Sequence, residues 1–240
     1  MDFNNYSNVV NNHDRELEMS RAFPALMRKV YLWMAMALAI TGIVAYGAGS
    51  SPALIQALYI SKGPILIAAL VEFGIVWYLS PRIYKLSLAS ATLWFILFSA
   101  INGLTLGWIF AVYNIAIIAK TFFVTAGTFG AMALIGSTTK KDLTKMGGIL
   151  FMALIGLIIA SLVNMFLQSS TMDYIVSIIG VIVFTGLTAW DAQAIKRNLL
   201  MAPDAGESAQ KIALLGSLSL YLDFINLFLY LLRFFGNNRD

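Results

Sequence analysis

Apolar residues dominate the chain in seven long runs, broken by short polar stretches. The runs fall at about 30–49, 64–80, 87–110, 114–136, 147–167, 174–195 and 212–235. A helix of about 20 residues, rising 1.5 Å per residue, crosses the hydrocarbon core of a bilayer, and each run is long enough to do so. Pro64 opens the second run and Pro81 follows its end, where helix boundaries place proline. The runs are hydrophobic all round, so helical periodicity says little about which face packs, and the polar exceptions carry the information. No repeat of 20–50 residues is visible. The predicted fold class is all-α: a polytopic membrane protein with seven transmembrane helices over residues 26–236, behind a polar tail of residues 1–25. The tail is Asn-rich and lacks the charged-then-apolar order of a signal peptide. It reads as cytoplasmic and is expected to end in a short amphipathic helix around Arg15–Met27.

Composition agrees. The 240 residues are 60% hydrophobic and 12% charged, with mean hydropathy +0.80, whereas a soluble domain carries about 25% charged residues. Such a chain folded in water would expose large apolar patches. There is no cysteine, and His13 in the tail is the only histidine. Disulfides, thiol chemistry, a histidine metal site and a Ser-His-Asp triad are all excluded. No enzyme activity and no cofactor are expected. A net charge of +4 does not point to nucleic acid, because the basic residues sit at the ends of the runs. The expected partner is the lipid bilayer, not nucleic acid.

The basic residues also orient the chain. The tail has Arg15, Arg21, Arg28 and Lys29; loop 2–3 has Arg82 and Lys85; loop 4–5 has Lys140, Lys141 and Lys145; loop 6–7 has Lys196, Arg197 and Lys211. The other loops hold Lys62 alone. This alternation predicts a cytoplasmic N-terminus, with loops 2–3, 4–5 and 6–7 inside. A seventh span leaves Arg233 and Arg239 outside; a re-entrant last segment would return them to the inside, and length favours the span.

Four ionisable residues lie within the runs: Glu72, Lys120, Asp191 and Asp223. A charge at the bilayer centre costs about 2.5–3.5 kcal/mol on insertion scales, so each needs a reason. Lys120 is close enough to the end of its run for its stem to reach the interface. Glu72 is not, and reads equally as a hydrogen-bonded structural carboxyl or as part of a cation pathway. Asp191 lies about 7 Å inside the cytoplasmic end of the sixth run, and a helix-end pairing with Lys196 or Arg197 is its simplest reading. Asp223 shares a helix face with Ser219 and Asn226, and a stripe of that kind faces the bundle interior. If the seventh helix enters near Gly216, Asp223 is only about 10 Å deep and meets Asp191; residues 204–215 would then lie at the interface. Two carboxylates in one low-dielectric site cannot both ionise cheaply, so the pair would hold a proton and act as a pH switch. With both protons gone, it would suit a hard cation such as Ca²⁺.

The segments "SLYLDFINLFLYLLRFFG", "TAWDAQAIK" and "KKDL" (Lys140 to Leu143) resemble the Bax-inhibitor-1 (TMBIM) family, bacterial branch. The resemblance covers roughly residues 25–236. It implies a seven-helix bundle with the last helix central, in the cytoplasmic membrane. It implies a pH-sensing pair, Asp191 and Asp223, gating a Ca²⁺ leak and serving as the transient metal site. Arg82 would latch Asp191 in the closed state until acid protonates it. Glu72, Ser219 and Asn226 would belong to the cation pathway, with Ca²⁺ and H⁺ the ions involved. Some bacterial relatives are described instead as modulators of an FtsH-type membrane protease, which makes regulation of such a protease the alternative function. An intramembrane aspartyl protease is disfavoured, because neither aspartate carries the Gly–x–Gly–Asp context: Asp223 follows Leu222 and Asp191 follows Trp190. A proton-coupled transporter is a further alternative, but no substrate pocket is evident in the sequence.

Overall fold

The computed structural model describes residues 3–60 and 63–236, with side chains from Leu17 onward. Lys62 and Arg239, used in the charge reading, lie outside the described residues, as do the side chains of His13 and Arg15. Among the described residues there is no strand. The helices are α1 (Phe3–Gly49), α2 (Pro52–Leu54, continued by a π-helical turn over Ile55–Ile60), α3 (Gly63–Arg82), α4 (Leu88–Leu106), α5 (Trp108–Val112), α6 (Ile115–Thr138), α7 (Thr144–Leu167), α8 (Ser170–Leu200) and α9 (Glu207–Gly236). Seven of these segments are long and apolar enough to cross a membrane, α4 and α5 counting as one.

Local sequence sets the boundaries. Asn114, Ser169 and Ser87 each stand before a helix and accept from a backbone N–H of its first turn, at 2.8, 3.3 and 3.2 Å. Each satisfies a donor that the helix itself leaves orphaned. Asp142 accepts from both the N–H and the hydroxyl of Thr144 at the start of α7. Those bonds hold its carboxyl below the usual range. The chain leaves α7 through Gln168 in the left-handed conformation, φ 50°. Two elements differ from the sequence reading. The third run is divided at Gly107 into α4 and α5. The first helix does not start near residue 26: α1 is continuous from Phe3, and Met19, Leu26 and Met27 are buried in the common core. Lys29 ties this stretch to Gln210 of α9 at 2.8 Å.

The layering follows from burial. In α9, 72% of the apolar window is buried inside the protein, against 6% for α7 and 11% for α3. Helix α9 is therefore the axis, surrounded by α1, α4, α6 and α8, while α3 leans on α4 and α7 on α8. The exposed apolar side chains, Phe73 and Trp77 of α3 and Ile159 and Phe166 of α7 among them, form the lipid-facing surface of a membrane protein.

Small residues set the helix spacing. A Cβ on Gly136 of α6 would collide with the backbone of Ala189 in α8, and no side-chain rotation relieves that. A Cβ on Gly127, about two and a half turns away on the same helix, meets nothing within 4 Å. Gly136→Ala should therefore destabilise the protein by about 1–3 kcal/mol, as overpacking does, and Gly127→Ala should be neutral. Thermal unfolding of both variants in detergent checks this, and equal melting temperatures would contradict the α6–α8 contact.

Candidate functional site

Asp191 and Asp223 project from neighbouring helices, α8 and α9, the most closely associated pair in the bundle. Close approach is possible because Gly216 of α9 faces Ile195 and Gly180 of α8 faces the Tyr230 ring; a Cβ at either would fall within 3 Å of those side chains. The two carboxyls come within hydrogen-bonding reach of each other, and the Ser219 hydroxyl lies on Asp191 as well. Asp223 is 5% exposed. Its Oδ2 is fully enclosed and receives no hydrogen bond among the described residues. A bare carboxylate oxygen in that position is costly, and a proton held between the two carboxyls is the smallest group that relieves it.

Neighbouring contacts fix the α8 end of the site. Trp190 packs directly on Gly147 of α7. The Gln193 amide clamps the α6–α7 loop, accepting from Leu143 N–H at 2.8 Å and donating to the Lys141 carbonyl at 2.7 Å. Lys196 donates to the Ser137 carbonyl at 2.8 Å and Arg197 to the Thr144 hydroxyl at 2.9 Å. Both cations that a helix-end reading would assign to Asp191 are thus bonded to other groups.

A cavity of about 290 Å³ opens onto Asp191, with Tyr84, Trp190, Asn198, Ile212 and Ser219 in its walls. A smaller void of about 100 Å³ lies on the other side of the pair, towards the start of α6, walled by Leu38, Ile118, Phe122, Phe224, Ile225 and Phe228. The polar cavity and the apolar void do not share a lining residue.

Of the residues singled out in the sequence, Asp191, Asp223 and Ser219 come together. Asn226 does not join them; its amide donates to Leu222 in its own helix at 2.8 Å. Arg82 is not brought to Asp191 in this state, and its guanidinium lies 4.7 Å over the Tyr78 ring. Lys120 reaches the Phe235 ring, 5.5 Å from its centre, near the far end of α9. Glu72 is bound elsewhere: Asn102 Nδ2 donates to its Oε2 at 3.0 Å and Thr105 Oγ1 to its Oε1 at 2.8 Å. The sequence reading did not single out Asn102, Thr105, Tyr221 or Thr41, which form a second polar cluster. Asn102 and Thr105 were visible as uncharged polar exceptions in the third run, and Thr41 in the first. Among the described residues, no three His, Cys, Asp or Glu side chains gather into a metal-binding group.

The sequence profile described as "Inhibitor of apoptosis-promoting Bax1" (Bax1-I) matches residues 24–240. The chain is 49% identical to the inner membrane protein YbhL of Escherichia coli K12 over 215 residues, covering 89% of this chain and 92% of that one. It is 44% identical to an uncharacterized protein of Borreliella burgdorferi over 214 residues, with 89% and 92% covered. An uncharacterized membrane protein of Streptococcus pyogenes serotype M1 is 41% identical over 171 residues, with 71% and 73% covered. A match across all seven spans, aspartate helices included, leaves one conclusion: the chain belongs to the Bax inhibitor-1 family, as a multi-pass cell-membrane protein.

Proposed function

We propose that the protein is a pH-sensitive cation leak of the cell membrane, with Ca²⁺ as the principal ion and Asp191 and Asp223 as the gate. The observation that carries this reading is the paired carboxyls, with one Asp223 oxygen enclosed and unbonded. A shared proton satisfies the pair, and its departure leaves two like charges in one low-dielectric site. They then repel, or take up a cation. Two carboxylates and one hydroxyl fall short of the six to eight oxygens that Ca²⁺ prefers. The site is suited to brief occupancy by a passing ion and not to a resident one. The cavity at Asp191 gives water and ions an approach from one side. The apolar void beyond the pair acts as the closed seal, since an apolar constriction excludes a hydrated ion.

The sign of the pH response follows from the pair. With Arg82 resting on Tyr78, no arginine latch is formed for acid to release. The proton shared between the carboxyls holds the closed state, and flux rises as pH rises and the proton leaves. Purified protein in liposomes should show Ca²⁺ flux changing about tenfold for each unit by which the pair's proton affinity differs between closed and open states. Asp223→Asn and Asp191→Asn should each flatten that dependence to less than about twofold. Wild-type protein that conducts no cation at any pH would overturn the leak and leave regulation of an FtsH-type protease as the reading to pursue.

Orientation is part of the proposal, with the N-terminus and the α3–α4, α6–α7 and α8–α9 connections cytoplasmic. Lys140 and Asn114 are both exposed, at opposite ends of α6, in a chain without native cysteine. Lys140→Cys should react with an impermeant thiol reagent only from the cytoplasmic side, and Asn114→Cys only from the other. Labelling of Asn114→Cys from the cytoplasm would reverse the topology.

A further inference from the structure

A second polar cluster grips α9 on the face away from Asp191. Tyr221 stands two residues before Asp223, which turns its side chain about 200° around the helix. It is completely buried, and the edges of Phe95 and Phe98 pack against it with ring centroids 5.8 Å away. Its hydroxyl lies 2.7 Å from Thr41 Oγ1 of α1 and 2.9 Å from Asn102 Oδ1 of α4. Thr41 in turn lies 2.8 Å from the Ser99 carbonyl. At the other end Asn102 meets Glu72 of α3, which Thr105 also contacts. The row therefore runs Ser99 carbonyl, Thr41, Tyr221, Asn102, Glu72, and it joins α1, α3, α4 and α9.

Counting protons shows that this row is one short when Glu72 is ionised. Between the Ser99 carbonyl and Asn102 Oδ1 there are three contacts. Only two protons serve them, one on Thr41 and one on Tyr221, because a carbonyl and an amide oxygen donate nothing. One contact of the three is then two oxygens with no hydrogen between them. A proton on Glu72 completes the row. The carboxylic acid donates to Asn102 Oδ1 once the amide turns end for end, a motion that preserves its shape. The amide then donates to Tyr221, Tyr221 to Thr41, and Thr41 to the Ser99 carbonyl. Every contact holds one hydrogen, and Thr105 continues to donate to the carboxyl.

We propose that Glu72 is a proton-binding site distinct from the aspartate pair, and that its proton sets the direction of hydrogen bonding through Asn102, Tyr221 and Thr41. The central helix is then held on two opposite faces, each by one titrating proton. Losing the proton at Glu72 leaves one of the three contacts without a hydrogen, which loosens α9 from α1 or from α4, or α1 from α4. Among the described residues, no other charge competes at this site. Helix α4 carries no ionisable side chain, the π-helical turn brings only Tyr59, and α9 brings only Tyr221 to this face. On α3 itself the other charged residue is Arg82, ten positions away over Tyr78.

Infrared difference spectroscopy of the full chain in phosphatidylcholine vesicles, between about pH 5 and pH 9, tests this without any measurement of flux. A protein that conducts nothing would test it equally well. The chain has four glutamates, and the other three lie at or before the ends of spans. With ¹³C-glutamate, one protonated-carboxyl band should shift; with ¹³C-aspartate, it should not. The band should vanish in Glu72→Gln and persist in Asp223→Asn. Tyr221→Phe breaks the row at its centre and should let the proton leave at least tenfold more easily, moving the band's midpoint down by one pH unit or more. If Glu72→Gln does not fold, Glu72→Asp should transfer the band from the glutamate label to the aspartate label. Absence of a glutamate-labelled carboxyl band, its survival in Glu72→Gln or its failure to change label in Glu72→Asp, or an unmoved midpoint in Tyr221→Phe would each overturn the proposal.

Discussion

Inside a bilayer there is no water to satisfy a polar group, so each one on a central helix must find its partner on a neighbour. Helix α9 carries Asp223 and Tyr221 on opposite faces, and both are buried. The rest of the architecture answers that requirement. On one side α8 supplies Asp191, with Ser219 of α9 itself completing the group. On the other, α1 and α4 supply Thr41 and Asn102. A carboxyl on α9 would otherwise cost several kcal/mol.

Such partners meet only if the helices are close. The glycines that matter lie where side chains of one helix enter the surface of another: Gly216 against Ile195, Gly180 against the Tyr230 ring, Gly147 against the Trp190 indole. Without hydrophobic attraction between helices in lipid, small residues gain their effect by letting backbones approach and polar side chains bond. The Trp190–Gly147 contact and the Gln193 clamp hold the helical turn that displays Asp191. The aspartate pair is therefore presented by a fixed α8 against an α9 whose own position depends on hydrogen bonds at both faces.

The seven spans were legible because twenty apolar residues in a row have few other uses. The aspartate pair was legible because carboxylates are so costly in such runs that both demanded explanation. The start of the first helix was not legible. The polar residues before 26 read as a tail, whereas α1 continues through them, anchored by buried Met19, Leu26 and Met27 that no periodic pattern advertised. Arg82 was placed by the resemblance, from its position at the end of the second span, and such a position does not fix direction around a helix; the guanidinium lies over the face of Tyr78, one turn back. The Tyr221 row escaped for a different reason. Tyrosine, threonine and asparagine cost little individually in an apolar run, so they do not stand out there as a charge does. Their alignment is a tertiary fact, joining positions 41, 102 and 221 that no local spacing connects.

Helix α3 and the turn after it touch both the Tyr221 row and the cavity at Asp191. It packs on α4, buries only Ile75 and Leu79 of its own length, and otherwise faces outward. Its polar tie to the bundle is Glu72, bonded to Asn102 and Thr105. The turn that follows it places Tyr84 in the wall of the cavity at Asp191. One end of this segment therefore reads the aspartate site while its middle reads the Tyr221 row. Helix α7 is equally peripheral, yet it holds no ionisable side chain between Lys145 and its end. A shift of α3 costs little apolar burial, but it must break the bonds at Glu72 and disturb the cavity wall together. If Glu72 binds a proton as proposed, α3 is, of the two outlying spans, the one whose attachment would change with it, and so the one through which a change at one face of α9 would reach the other.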